Sequence, residues 1–216
     1  MARSSRRSRR LGAFATLIAC LASATASAHR RDEYLQAARL AVEPGRVEIE
    51  IDLTPGIAVA AAVAADIDRD RNQEISADEG RVYASAVLRA TALDIDGVPL
   101  SVELVDHAFP AVDAMMKGVG TARIRAMAAM PPLGDGRHSL RFRNRHRTDI
   151  GAYLANALVP ANERVRIEAQ RRTVDQREVI VDYTLHADVA TRMRRGMLVG
   201  FSGLVLLGLS WRRCRR

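Results

Sequence analysis

The sequence has two cysteines in 216 residues, and neither lies in its central part. Cys20 and Cys214 fall in hydrophobic segments close to the two ends of the chain. A disulfide within the stretch between those segments is therefore excluded, and that stretch must be stabilised by a hydrophobic core. Roughly 160 residues are enough to bury such a core without covalent cross-links. The scarcity of cysteine is thus compatible with an exported protein.

Acidic residues are absent from both ends of the chain, where arginine is concentrated. Five arginines precede Ala28 and seven follow Thr191. The other 21 of the 33 Lys and Arg residues are outnumbered by the 25 Asp and Glu residues, so residues 29–191 are mildly acidic although the whole chain carries +8. Nucleic-acid binders neutralise phosphates with a basic surface. The charge distribution therefore argues against a nucleic-acid partner.

The sequence also lacks the patterns of common catalytic sites. No serine or cysteine stands in a nucleophile motif, and no glycine-rich loop opens a helix. The histidines of the central part show no pair at metal-ligand spacing, and they are His107, His138, His146 and His186. These absences predict a protein without enzymatic activity.

The first 28 residues have the layout of a secretory signal peptide. An arginine-rich start precedes an apolar run of about a dozen residues, and Ala26-Ser27-Ala28 forms a small-residue cleavage site. We expect the mature chain to begin at His29.

Two other export signals remain open for the same segment. Ser8-Arg9-Arg10 resembles the start of a twin-arginine signal. Leu17-Ile18-Ala19-Cys20 resembles a bacterial lipobox, which would make Cys20 a lipidated first residue.

Residues 196–211 are apolar and uncharged, with arginines on both sides. At ~1.5 Å per residue a helix of this length reaches about 24 Å, somewhat less than the ~30 Å hydrocarbon core of a bilayer. Flanking arginines extend along the bilayer surface and make up the difference. The pattern predicts a membrane anchor followed by a basic cytoplasmic tail, 212–216, with the domain 29–191 in the periplasm or outside the cell. The tail also resembles a bacterial sorting signal, whose helix is removed by an enzyme.

Short alternating segments separated by turn residues dominate the central part. The segment 47–53 alternates strictly, with Val47, Ile49, Ile51 and Leu53 on one face, as in a half-buried strand. The predicted strands are 34–42, 47–53, 101–106, 120–128, 138–145, 164–169 and 178–185, with an Asp-Gly hairpin over 93–100. The expected fold is mainly β, an antiparallel β-sandwich with an inserted helix-loop-helix at 57–91.

The loop of that insertion, 68–79, carries oxygen-bearing side chains at regular intervals between two predicted helices, 57–65 and 76–91. A hard cation such as Ca²⁺ takes six to eight oxygen ligands, which a loop supplies from alternate positions and a closing carboxylate. Ser76 and Glu79 also form a capping box for the second helix. The candidate Ca²⁺ ligands are Asp68, Asp70, Asn72, Glu74 through its carbonyl, Ser76 through a water, and Glu79.

This stretch resembles an EF-hand, a family that binds Ca²⁺ in a twelve-residue loop between two helices. Two residues depart from the family pattern. Gln73 stands where glycine normally makes a sharp turn, and Gly80 stands where a large apolar residue usually follows the loop. Arg69 and Arg71 add positive charge beside the site. The resemblance therefore implies an exported, membrane-anchored protein with a single EF-hand. The departures from the family pattern imply that this EF-hand binds Ca²⁺ weakly.

Two further features have alternative interpretations. The expected mature chain begins with a histidine, His29, whose imidazole could bind a transition metal together with the terminal amine. This resembles the extracytoplasmic N-termini of bacterial nickel and cobalt permeases. A metal-handling accessory of a membrane transporter is therefore the alternative function. Arg141, Arg143, Arg145 and Arg147 alternate along a predicted strand, either as a solvated outer face or as a surface for phosphate groups.

Overall fold

The computed structural model of the protein describes residues 32–187. The predicted signal peptide, with Cys20, the predicted start at His29, the predicted anchor 196–211 and the tail 212–216 lie outside the described residues. Within 32–187, no helix combines the length and the apolar character needed to cross a bilayer.

The described chain forms ten strands and three helices. The helices are α1 (Ile57–Ile67), α2 (Ala77–Arg89) and α3 (Val112–Met116). The strands are β1 (Tyr34–Glu43), β2 (Arg46–Pro55), β3 (Thr91–Ile95), β4 (Val98–Pro99), β5 (Glu103–Ala108), β6 (Ala122–Ala129), β7 (Gly136–Asn144), β8 (Gly151–Ala157), β9 (Val165–Arg172) and β10 (Glu178–Leu185).

The strands are arranged in two sheets of five. The first has the order β5-β6-β2-β1-β8 and the second β4-β3-β7-β10-β9. Neighbouring strands are antiparallel throughout, except that β1 and β8 run parallel. The predicted class, mainly β with sheets rich in antiparallel pairs, is confirmed.

Alternation of apolar and polar residues decides which face of each strand is buried. In β2, Val47, Ile49, Ile51 and Leu53 are buried, while the polar residues that alternate with them point outward, because successive side chains of a strand leave opposite faces. The inner faces of both sheets contribute to one hydrophobic cluster, which includes Ile124 of the first sheet and Phe142 of the second. The same cluster holds apolar side chains of α1 and α2, which connect β2 to β3.

The sequence did not predict β8 or α3. The segment of β8, Gly-Ala-Tyr-Leu-Ala-Asn-Ala, shows no alternation, and only Ala155 in it is fully buried. It forms an edge strand through its parallel pairing with β1, in which Tyr34 lies opposite Gly151. Because that pairing is set by a distant part of the chain, the local sequence carries no signal for it.

Side chains of β9 cover the outer edge of β8. The Gln170 side chain accepts a hydrogen bond from the Ala157 N–H (3.0 Å) and donates one to the Ala157 carbonyl (3.1 Å). Arg172 Nε donates to the Ala155 carbonyl (2.8 Å). These bonds occupy backbone groups that an edge strand otherwise presents to another chain. The two sheets are thereby joined along one side.

Candidate metal site

The loop between α1 and α2 starts at Asp68, the residue that ends α1, and closes at Glu79 in the first turn of α2. Two of its residues other than glycine adopt positive φ angles, Arg71 at 61° and Gln73 at 69°. Gln73 thus takes the left-handed conformation that its position in the motif predicts. Such a conformation costs a side-chain-bearing residue about 1–2 kcal/mol, so the loop is held under local strain.

Backbone N–H groups organise the first half of the loop around Asp68. Its carboxylate is buried and accepts hydrogen bonds from the N–H groups of Asn72 (3.1 Å) and Gln73 (2.9 Å). Asp70 also accepts from the Asn72 N–H (3.1 Å). Both aspartates therefore face the inside of the turn, where a cation bound by the loop would lie.

Glu79 links the two ends of the loop. One of its oxygens, Oε1, accepts from the N–H of Arg69 (2.7 Å), and the other, Oε2, accepts from the N–H (3.0 Å) and hydroxyl (2.7 Å) of Ser76. The Ser76 hydroxyl in turn caps the Glu79 N–H, so the predicted capping box is present. Hydrogen bonds from Ser76, with those from the loop backbone, lower the pKa of Glu79 to about 2. The carboxylate is therefore ionised at neutral pH.

One carboxylate oxygen from each of Asp68, Asp70 and Glu79 lies within 4.8 Å of the other two. Oxygen ligands of Ca²⁺ lie about 2.4 Å from the ion, so oxygens up to about 4.8 Å apart can share one ion. Of the other predicted ligands, Asn72 touches Asp70 through its amide N–H (3.0 Å) and Ser76 touches Glu79, so both border the cluster. The Glu74 side chain is exposed, as expected for a residue that offers only its carbonyl.

The structure explains why position 80 is a glycine and not the large apolar residue of the EF-hand pattern. A Cβ at this position would lie 2.9 Å from Cδ2 of Phe109 and 3.1 Å from Nδ1 of His107. The Phe109 ring, which follows β5, therefore occupies the space into which a large residue at position 80 would project. Ile75, the apolar residue of the loop, is partly buried and packs against the core cluster.

A buried polar network fixes α2 to the sheets, and sequence analysis missed it. The Tyr83 hydroxyl of α2 lies 3.0 Å from the Tyr34 hydroxyl of β1 and 3.1 Å from Nε2 of His146. The rings of Tyr83 and His146 also meet edge to face, with centroids 5.4 Å apart. Burial raises the pKa of Tyr83 to about 12, so its hydroxyl stays protonated at neutral pH. These three residues are far apart in sequence, and none belongs to a recognisable motif.

The predicted arginine row is interrupted. β7 ends at Asn144, so Arg145 and Arg147 do not continue the strand. Arg143 forms an ion pair with Glu178, and Arg147 pairs with Asp66 at the end of α1 and with Asp149. The alternating spacing therefore does not produce one arginine face. Arg147 instead adds a second attachment between the helical insertion and the sheets.

His146 gives the protein a predictable dependence on pH. Burial disfavours its imidazolium form, and the Arg147 charge adds to this, so the pKa of His146 is lowered from 6.5 to about 4. Below about pH 6.5 the unfolded chain therefore binds a proton that the folded protein does not. We expect the free energy of unfolding to decrease as the pH falls from about 6.5 towards 4, by about 1 kcal/mol after allowance for solvent screening.

Urea unfolding of the full-length protein at several pH values in this window measures the effect. The matched control is His146→Phe, which keeps an aromatic ring and removes the titration. If the free energy of unfolding falls equally in both proteins as the pH is lowered, groups other than His146 cause the pH dependence.

Comparison with protein-family models, with curated proteins and with solved structures finds no match for this chain. The geometry of the loop therefore carries the functional conclusion. The alternative metal site at His29 lies outside the described residues.

Proposed function

We propose that this chain is a non-enzymatic, membrane-tethered extracytoplasmic protein, a β-sandwich whose helix-loop-helix binds Ca²⁺ weakly, and that it serves as a binding or accessory subunit. The observation that supports the Ca²⁺ site best is the convergence of Asp68, Asp70 and Glu79 within 4.8 Å in a twelve-residue loop between two helices. Acidic side chains often lie close together by chance on protein surfaces. Here the spacing along the loop, the capping box and the buried Asp68 carboxylate occur together.

The ligand types favour Ca²⁺ over other cations. Carboxylate, amide, hydroxyl and carbonyl oxygens suit a hard cation, and the loop offers no histidine or cysteine for a transition metal. Mg²⁺ requires a tighter octahedron at about 2.1 Å and gives up its water reluctantly. The Asp70 N–H donates to Glu79, which lies nine positions later in the chain. A loop closed over this distance adapts more readily to the larger Ca²⁺ ion.

Several features of the loop predict low affinity. Arg69 and Arg71 place two positive charges next to the cluster. Asp70, Asn72 and Glu74 are exposed, so water competes for the ion. We expect a dissociation constant on the order of 10⁻⁴ to 10⁻³ M, the range of extracellular calcium modules. A site of this strength stabilises the fold in a calcium-rich exterior and does not act as a cytosolic sensor.

Calorimetric titration of the full-length protein with CaCl₂, together with thermal unfolding, tests the proposal. A ligand that binds only the folded state stabilises it by RT ln(1 + [L]/Kd), or about 1.4 kcal/mol at tenfold excess over Kd. We expect heat and a higher melting temperature with Ca²⁺ and a smaller response with Mg²⁺. If Ca²⁺ at about ten times the highest expected Kd produces neither heat nor a thermal shift, the loop is only a helix connection.

The strained conformation of Gln73 leads to a separate prediction about stability. Glycine adopts a positive φ without the steric cost that Gln73 bears at 69°. We expect Gln73→Gly to raise the free energy of unfolding by about 0.5–1 kcal/mol, after the greater flexibility of glycine in the unfolded chain is deducted. Gln73→Ala is the matched control, because it removes the same side chain and keeps the strain. Equal stability of the two variants, measured by urea unfolding, would contradict the explanation.

A further inference from the structure

The end of the molecule at which β10 terminates is formed by two loops. The last residue of β10, Leu185, lies opposite Gly136 of β7 and Val165 of β9. The next residue, His186, donates its N–H to the Arg164 carbonyl (2.7 Å). Because β7 and β9 flank β10, the loops that lead into them, 130–135 and 158–164, stand on either side of the point where the chain leaves the fold.

These loops present apolar side chains to the surroundings. Val159, the second residue of the β8–β9 loop, is 92% exposed, and its neighbour Leu158 is 44% exposed. Pro131 and Pro132 are exposed in the other loop. A single exposed apolar residue is common on soluble surfaces. Consecutive ones at the start of a loop, beside a second loop with two exposed prolines, form a surface that water solvates poorly.

The distance along the chain from this end to the apolar segment is short. Residues 188–195, eight positions, separate the last described residue from residue 196. Even fully extended, eight residues span at most about 28 Å. If 196–211 crosses a bilayer, the end of the fold that carries Val159 is therefore kept close to the membrane surface.

We propose that the β8–β9 loop inserts the side chains of Leu158 and Val159 into the lipid headgroup region of the bilayer and so fixes the orientation of the domain on the membrane. This rests on the proposed membrane tether. A tether restricts distance only, whereas a second contact at Val159 restricts rotation as well. Moving exposed valine and leucine side chains from water into the interface between headgroups and acyl chains is favourable.

This orientation places the calcium loop away from the lipid. β1 begins at Tyr34, which contacts Tyr83 of α2, and ends beside the β1–β2 turn, where Gly45 accepts the N–H of Met130 from the 130–135 loop. A strand of ten residues is about 33 Å long. The helical insertion is thus attached at the end of β1 that faces away from the bilayer, where it is accessible to soluble ions and partners.

Site-specific fluorescence on the full-length protein in vesicles of phosphatidylethanolamine and phosphatidylglycerol tests the proposal. An environment-sensitive probe is attached to Val159→Cys in a background in which Cys20 and Cys214 are both replaced by serine. The matched control is Val174→Cys, a completely exposed valine in the β9–β10 turn, at the opposite end of β10. We expect blue-shifted emission and strong quenching by nitroxide lipids at position 159, and neither at position 174.

The outcomes separate the inference from the tether on which it depends. If the protein does not float with the vesicles, the tether fails and the inference fails with it. If it floats but the probe at 159 is quenched by aqueous iodide as readily as the probe at 174, only the inference is overturned. Protection from iodide without quenching by nitroxide lipids would indicate a protein contact, such as a second copy, and would also overturn it.

Discussion

Substituting Gly80 with leucine is expected to destabilise the protein, although it restores the type of residue that EF-hands have at this position. In an exposed helix the same change would be stabilising by about 1 kcal/mol, because leucine is the better helix former. Here Gly80 is buried, and the first added atom would lie 2.9 Å from the Phe109 ring. Overpacking of this kind costs about 1–3 kcal/mol. The sign of the change in the free energy of unfolding therefore distinguishes a position packed against Phe109 from an exposed helix position.

A double substitution provides the control for this prediction. Phe109→Ala alone should also be destabilising, since it leaves a cavity against the start of α2. Combined with Gly80→Leu it opens the space that the leucine needs, so the double variant should be more stable than the sum of the single effects predicts. Strict additivity in urea unfolding would show that Phe109 does not fill the position.

Replacing Glu79 with glutamine is expected to abolish the response to Ca²⁺. The substitution removes the charge of the residue that closes the loop, and the amide offers one neutral oxygen in place of the two with which a carboxylate binds Ca²⁺. The amide keeps one accepting oxygen and has a donor in place of the other, so it retains either the contact with Arg69 or the contacts with Ser76. Calorimetric titration should show no heat, and the melting temperature should not rise with Ca²⁺.

Glu74→Gln is the matched control for this experiment. It makes the same change in charge within the same loop, at a residue whose exposed side chain is not a predicted ligand. This variant should retain most of the Ca²⁺ response, with some loss of affinity from reduced negative charge. Equal loss in both variants would indicate that the loop attracts cations only through its net charge.

The parts of the molecule that sequence predicted best depend on local interactions. The capping box joins Ser76 to a residue three positions away, and the turn at Gln73 is imposed by the ligand spacing of a continuous loop. The strict alternation of β2 likewise fixes its buried face within seven residues, 47–53. In each case the physical cause lies within one segment, so the segment alone contains the information.

The parts that were missed depend on contacts between distant segments. Tyr83 and His146 are 63 positions apart, and neither has a neighbour that marks it as part of a network. Phe109 explains Gly80, but this requires knowing that the end of β5 packs on α2. No pattern within the sequence of β8 indicates its pairing with β1. For the candidate site, the capping box and the positive φ of the loop were therefore predictable, and the residues that hold the helices in place were not.

The parallel pair of β1 and β8 has a consequence for the order in which the protein folds. Tyr34 pairs with Gly151, 117 positions later in the chain, whereas β1 and β2 are joined by a short turn. A chain that emerges from its N-terminus, from the ribosome or during the proposed export, presents β1 and β2 first, and one edge of β1 stays unpaired until β8 has emerged. Closing such a long loop is slow, and an open edge pairs readily with other chains. Folding of the first sheet should therefore finish only after most of the domain has emerged, and until then this edge needs protection from aggregation.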